Sequence, residues 1–95
     1  MKMNQITLIE KEIETVNFKL TVDPTQPDNT LAGSPTLYIN NEPHVIYPVD
    51  TLTVIKTIST SNNLIWIKKG VENTWCEKQI NETCTKLEKE LGLIK

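Results

Sequence analysis

The 95 residues contain no arginine, and all ten cations are lysines. Missing with it is the planar guanidinium fork that reads guanine edges and grips phosphates or carboxylates at two points. Specific nucleic-acid recognition therefore lacks its usual tool. Glycine is nearly as scarce: Gly33, Gly70 and Gly92 stand alone. A phosphate-cradling loop, a dinucleotide fingerprint and a nucleophile elbow all need clustered glycines, so all three are excluded. The single histidine, His44, follows Pro43 with no Cys, Asp or His at ligand spacing. It reads as a solvated or internally satisfied imidazole rather than a base or a metal ligand. Two cysteines and one histidine do not complete a closed zinc site without carboxylates from unrelated spacings. No catalytic residue, metal or cofactor is expected, and the chain reads as a non-enzyme.

Long apolar runs are missing too. Nothing approaches the roughly 18 residues of a membrane span, so no membrane partner is expected. The opening MKMNQITLIEKE has only a short semi-apolar run before charge returns, unlike a signal peptide. We therefore expect a cytoplasmic protein with Cys76 and Cys84 reduced.

What remains is ordinary globular material, 38% apolar and 23% charged, of a length suited to one compact domain over residues 1–95. The net charge is −2, but it is unevenly spread. Residues 1–50 hold seven acids against three lysines, a balance of −4; residues 51–95 hold five against seven, a balance of +2. Lys56, Lys68 and Lys69 could cluster near Trp66 in the fold, the minimum of a nucleic-acid surface. Without arginine and in an acidic protein, that signal does not outweigh a solvated basic face, and nucleic acid is not the expected partner.

The clearest strand is Thr15–Asp23, where Val16, Phe18, Leu20 and Val22 alternate with polar residues. Such alternation implies an antiparallel sheet covered on one face. Ile6–Ile9 suits a first strand, followed by the acidic connector Glu10-Lys11-Glu12-Ile13-Glu14. If that connector is extended, Glu10, Glu12 and Glu14 form an acidic strip on one side. Thr36–Asn40 and His44–Tyr47 read as a hairpin turning at Asn40-Asn41, with the second arm a short edge strand bracketed by Pro43 and Pro48. Either Leu37 and Ile39 or Val45 and Tyr47 supply its buried face. Thr51–Lys69, rich in β-branched residues, reads as a second hairpin with arms Leu52–Ile58 and Leu64–Lys68. In that reading Leu52, Val54 and Ile58 share a face, and Trp66 lines the core.

The C-terminal segment reads as one amphipathic helix over Trp75–Leu91. Thr74-x-x-Glu77 is a capping box, and Cys76, Ile80, Cys84, Leu87 and Leu91 form one stripe. The cysteines on that stripe read as buried, inert thiols. Gly92 marks the stop. The expected fold is thus α+β: an antiparallel β-sheet of about five or six strands with one C-terminal amphipathic α-helix packed on one face.

Lacking a catalytic constellation, such a domain is expected to bind. The leading expectation is a small inhibitor of the immunity, antitoxin or anti-defence type that occludes a partner protein. The acidic residues Glu10, Glu12, Glu14 and Asp28 would steer it toward a basic surface. Asn29 and Leu31, in the proline-bounded stretch Pro24–Pro35, complete the candidate contact set. A self-associating structural or assembly subunit, joined through a sheet edge, is the alternative; a homo-oligomer is compatible with both.

Overall fold

The computed structural model describes residues 5–22 and 35–93. Residues 23–34, and with them Asp28, Asn29 and Leu31 of the Pro24–Pro35 stretch, lie outside the described residues.

Alternation in Val16–Val22 produces the expected strand, and it sits inside a sheet. Strands β1 (Ile6–Ile13), β2 (Val16–Val22), β3 (Thr36–Ile39) and β4 (Glu42–Val45) pair antiparallel in the order β1-β2-β3-β4. The acidic connector is therefore strand: β1 continues through Glu10 and Glu12 to Ile13. Both hairpins close through two-residue turns with positive φ at each central position, Glu14-Thr15 (50°, 67°) and Asn40-Asn41 (50°, 69°). This turn matches the twist of the flanking strands, and asparagine tolerates it. Glutamate and threonine tolerate it poorly, so the first turn had no sequence signature.

Three helices cover one face of the sheet: α1 (Thr51–Thr60), α2 (Leu64–Gly70) and α3 (Glu77–Glu90). A short 3-10 turn, Pro48–Asp50, leads into α1. The expectation of five or six strands and a single helix is corrected accordingly: four strands and three helices stand among the described residues. Thr51–Lys69 is not a hairpin. Val54, Thr57 and Ile58 are buried on α1, and Leu64, Ile67 and Val71 along and just after α2, at spacings of three and four that fit only a helix. The β-branched residues give up only a few tenths of a kcal/mol each in a helix, about 0.7 at most, which packing easily offsets. Leu52 and Trp66, expected in the core, are exposed instead. The polar stretch Ser59–Asn63, which reads as a hairpin turn, holds a helix start: Asn63 Oδ1 accepts from the Trp66 N–H at 2.9 Å.

Ile13, Val16, Phe18, Leu20, Leu37, Ile39 and Ile46 form the sheet side of one core, met by Val54, Ile58, Leu64, Ile67, Val71, Cys76, Ile80 and Cys84. Leu37 and Ile39, rather than Val45 and Tyr47, are the buried set of the second hairpin. The helix stripe is as expected through Cys84, but Leu91 is exposed and Glu88 is buried in its place. Glu88 forms an ion pair with Lys68 of α2. Helix α3 ends at Gly92 (φ 77°), where Gly92 N–H meets the Lys89 carbonyl and Leu93 N–H the Glu88 carbonyl, the two bonds of a Schellman stop. Its start differs from the expected capping box. Thr74 Oγ1 donates to the Val71 carbonyl, and Glu77 reaches back to the N–H of Asn73, not Thr74.

Candidate functional site

The acidic residues singled out in sequence are dispersed by the fold. Glu10 and Glu12 share the outer face of the sheet, where Glu10 pairs across the strands with Lys19 and accepts from Asn17 Nδ2 at 3.1 Å. Lys19 in turn lies over the Tyr38 ring. Glu14 leaves that face. From the turn, its Oε1 accepts from the backbone N–H of Leu64 at 2.8 Å and so caps α2. Lys11 acts on the other helix end: its ammonium donates to the carbonyls of Ser59 (3.1 Å) and Ser61 (2.9 Å) where α1 stops. A cation at a helix C-terminus and a carboxylate at an N-terminus are both favoured by the helix dipoles. Glu14 is thus committed within the molecule, and the strip reduces to Glu10 and Glu12.

His44 points into the helical layer, with Nε2 3.3 Å from Thr83 Oγ1, consistent with an internally satisfied imidazole. Both cysteines are buried and free. Burial raises the Cys76 thiol pKa, partly offset by its hydrogen bond with Thr74; burial pushes Cys84 up to about 12. Neither is a thiolate at neutral pH. A hollow of about 510 Å³ lies along α3, but its described lining, Asn81, Glu82, Thr85, Lys86, Lys89 and Glu90, comes from one helix. Acids and lysines alternate there at helical spacing, the mark of a solvated face.

The concentrated surface feature lies elsewhere, and sequence reasoning did not find it. Tyr47, Val49 and Leu52 project from the 3-10 turn and its flanks, with Leu52 79% and Val49 75% exposed. Trp75, 72% exposed, comes from the segment between α2 and α3 and stacks on Tyr47, ring centroids 5.1 Å apart. What brings the two segments together is Asp50: buried, its Oδ2 accepts from the Trp75 backbone N–H at 3.2 Å. Val45, also exposed, extends the surface onto the outer face of β4. Exposed large apolar groups gathered in one place mark an interaction surface far more often than the same groups scattered singly. Within four residues of the cluster in sequence stand Glu42, Glu72 and Glu77 and the lysines Lys56 and Lys78, so charge of both signs borders it. The missed signal was the N-terminal approach to α1: once Thr51 opens a helix, Leu52 falls off the buried stripe of Val54 and Ile58.

No protein-family model matches the chain, and no curated protein or solved structure is significantly similar to it. No helix among the described residues is long and apolar enough to cross a membrane.

Proposed function

We propose that the protein is a non-catalytic binding protein that occludes a partner protein, as small immunity, antitoxin and anti-defence proteins do. The observation that carries this reading is the exposed Tyr47–Trp75 stack with Val49 and Leu52 beside it. Tryptophan and tyrosine anchors dominate binding energy at protein interfaces, and here they are pre-ordered by Asp50 rather than left mobile. The partner that fits is a protein offering an apolar pocket to the ring stack. Glu10 and Glu12 on the outer sheet face add long-range steering only, since Lys19 stands beside them.

Pairing of sheet edges, the alternative route to assembly, is disfavoured by both edge strands. The two-residue turn at Asn40-Asn41 makes Ile39–Glu42 a hydrogen-bonded pair, so alternation turns the outward backbone groups of β4 to Pro43 and Val45. Proline has no N–H to offer there. On β1 the register shifts between Thr7 and Ile9, and charged Glu10 and Glu12 follow. Bulges, prolines and charges on edges are the devices that prevent strand addition.

The test is capture from cells with the tagged protein against a Leu52→Asp/Trp75→Ala variant and a Glu10→Lys/Glu12→Lys variant. A partner retained by wild type, lost by the first variant and only weakened by the second supports the reading. Identical recovery with all three overturns it, as does a closed homo-oligomer by light scattering that dissociates on Leu52→Asp, because the face would then belong to a second copy.

A further inference from the structure

We propose that the groove between α1 and α2 binds single-stranded nucleic acid, stacking a base on Trp66 with its phosphates between Lys56 and Lys69. Thr53, Lys56, Thr57 and Thr60 recur at spacings of three, one and three and so share one face of α1. Trp66 and Gly70, four apart on α2, face them, and with Ser61 these residues line a groove of about 370 Å³, the size of a single nucleotide. Gly70 brings the helices close: a Cβ there would lie 2.4 Å from Thr57 Cγ2.

Within α1, α2 and the loop that joins them charge has one sign, while Glu14 reaches in from the first hairpin turn to cap Leu64. From Thr51 to Val71 the chain has three lysines and no acid. Lys68 is turned away, paired with Glu88 of α3. Lys56 and Lys69 have no ion-pair partner among the described residues, and the Lys69 ammonium stands 5.6 Å from the centroid of the Trp66 ring. Trp66 is more than half exposed although its backbone is fixed by the Asn63 cap. An ordered, exposed indole between unpaired cations is the unit from which sequence-independent single-strand grooves are built. The absence of arginine suits this mode, which needs no base-edge fork.

The groove's hydroxyls refine the choice of ligand. Thr57 donates to the Gly70 carbonyl, Thr60 to that of Lys56 and Ser61 to that of Thr57. Their protons are used; Thr57 and Ser61 are buried, and Thr60, the exposed one of the three, presents acceptor lone pairs to the groove. A carboxylate ligand has no proton to give Thr60. The exocyclic amines of nucleobases do. Of Lys56, Lys68 and Lys69, the fold removes Lys68 to Glu88 and adds a shaped groove beside the other two.

A Trp75→Phe background leaves Trp66 as the only indole, and its fluorescence is titrated with short oligodeoxycytidylate. The expected result is quenching whose log affinity falls with log salt at a slope of about −1.4, two phosphate contacts at about 0.7 each for a single strand. Lys56→Ala/Lys69→Ala, two exposed positions, is expected to weaken binding about tenfold and flatten that slope. No quenching, quenching unaffected by the lysine pair, or equal quenching by polyglutamate overturns the proposal. So does equal affinity for duplex DNA, which cannot stack a base on the indole. None of these outcomes bears on Leu52, so the protein-docking face stands or falls separately.

Discussion

Cys84 shows how much a single buried position settles. It lies on the inner stripe of α3, with Lys68 and Glu88 as its charged neighbours. Burial raises its thiol from 9.0 to about 12; Lys68 opposes the shift and Glu88 adds to it. In the unfolded chain the same thiol ionises near its ordinary value. Between about pH 9 and 12 the folded state therefore holds the proton that the unfolded state has lost. Stability is full below pH 9 and falls as pH rises through that window. Wild type is expected to lose stability from pH 8 to 10.5 more steeply than Cys84→Ala, compared by urea midpoints at each pH. Equal slopes would mean that the thiol is not protected. Glu88, the acid on an otherwise apolar stripe, is explained by the reach of Lys68 from α2. No pattern within α3 alone announces it.

At the scale of elements, the contact of α1 with α2 hangs on a missing side chain. Thr57 is β-branched and cannot swing away from a Cβ at position 70. Gly70→Ala is expected to destabilise the fold by about 1–3 kcal/mol, the usual range for overpacking. Thr57→Ala in the same chain should recover part of that loss, which denaturant midpoints for the full cycle would reveal; additive effects would contradict the clash. The elements also differ in how far the sequence disclosed them. Strand β2 was legible because one face is buried and period two follows. The end of α3 was legible because Gly92 is the residue a left-handed stop demands. Helix α1 was not, because Thr, Ile and Val crowd it and its helical spacing competes with an accidental period of two; α2 was not, because Leu64–Ile67 is apolar throughout and shows no period. Asn63 was the available signal, an N-cap followed by Leu64 and Ile67. Thr74 misled in the opposite direction, since its hydroxyl closes the preceding turn instead of opening α3.

For the molecule as a whole, sequence disclosed the fold class, the buried thiols and a hairpin at Asn40-Asn41. It did not disclose the surface. The acidic strip was drawn from spacing along one strand, yet the fold removes Glu14 to a helix cap and sets Lys19 beside Glu10. The cluster of Tyr47, Leu52 and Trp75 joins segments more than 20 residues apart in sequence through a buried aspartate, which no local pattern encodes. The same reach across the chain governs the order in which the structure assembles. Seven residues are too few for α2 to hold its shape alone. Beside the local Asn63 cap, its N-terminus takes a second acceptor from Glu14, 50 residues away. The β1–β2 hairpin closes through neighbours and forms early, whereas the clasp must wait for a long loop to close. Removing the carboxylate with Glu14→Ala is expected to cost about 1 kcal/mol, as for a lost cap. In stopped-flow chevrons that loss should appear as faster unfolding with an unchanged refolding rate. Slower refolding in proportion would place the clasp inside the folding nucleus. Faster unfolding alone would make the hairpin tip a latch that closes after the folding nucleus has formed.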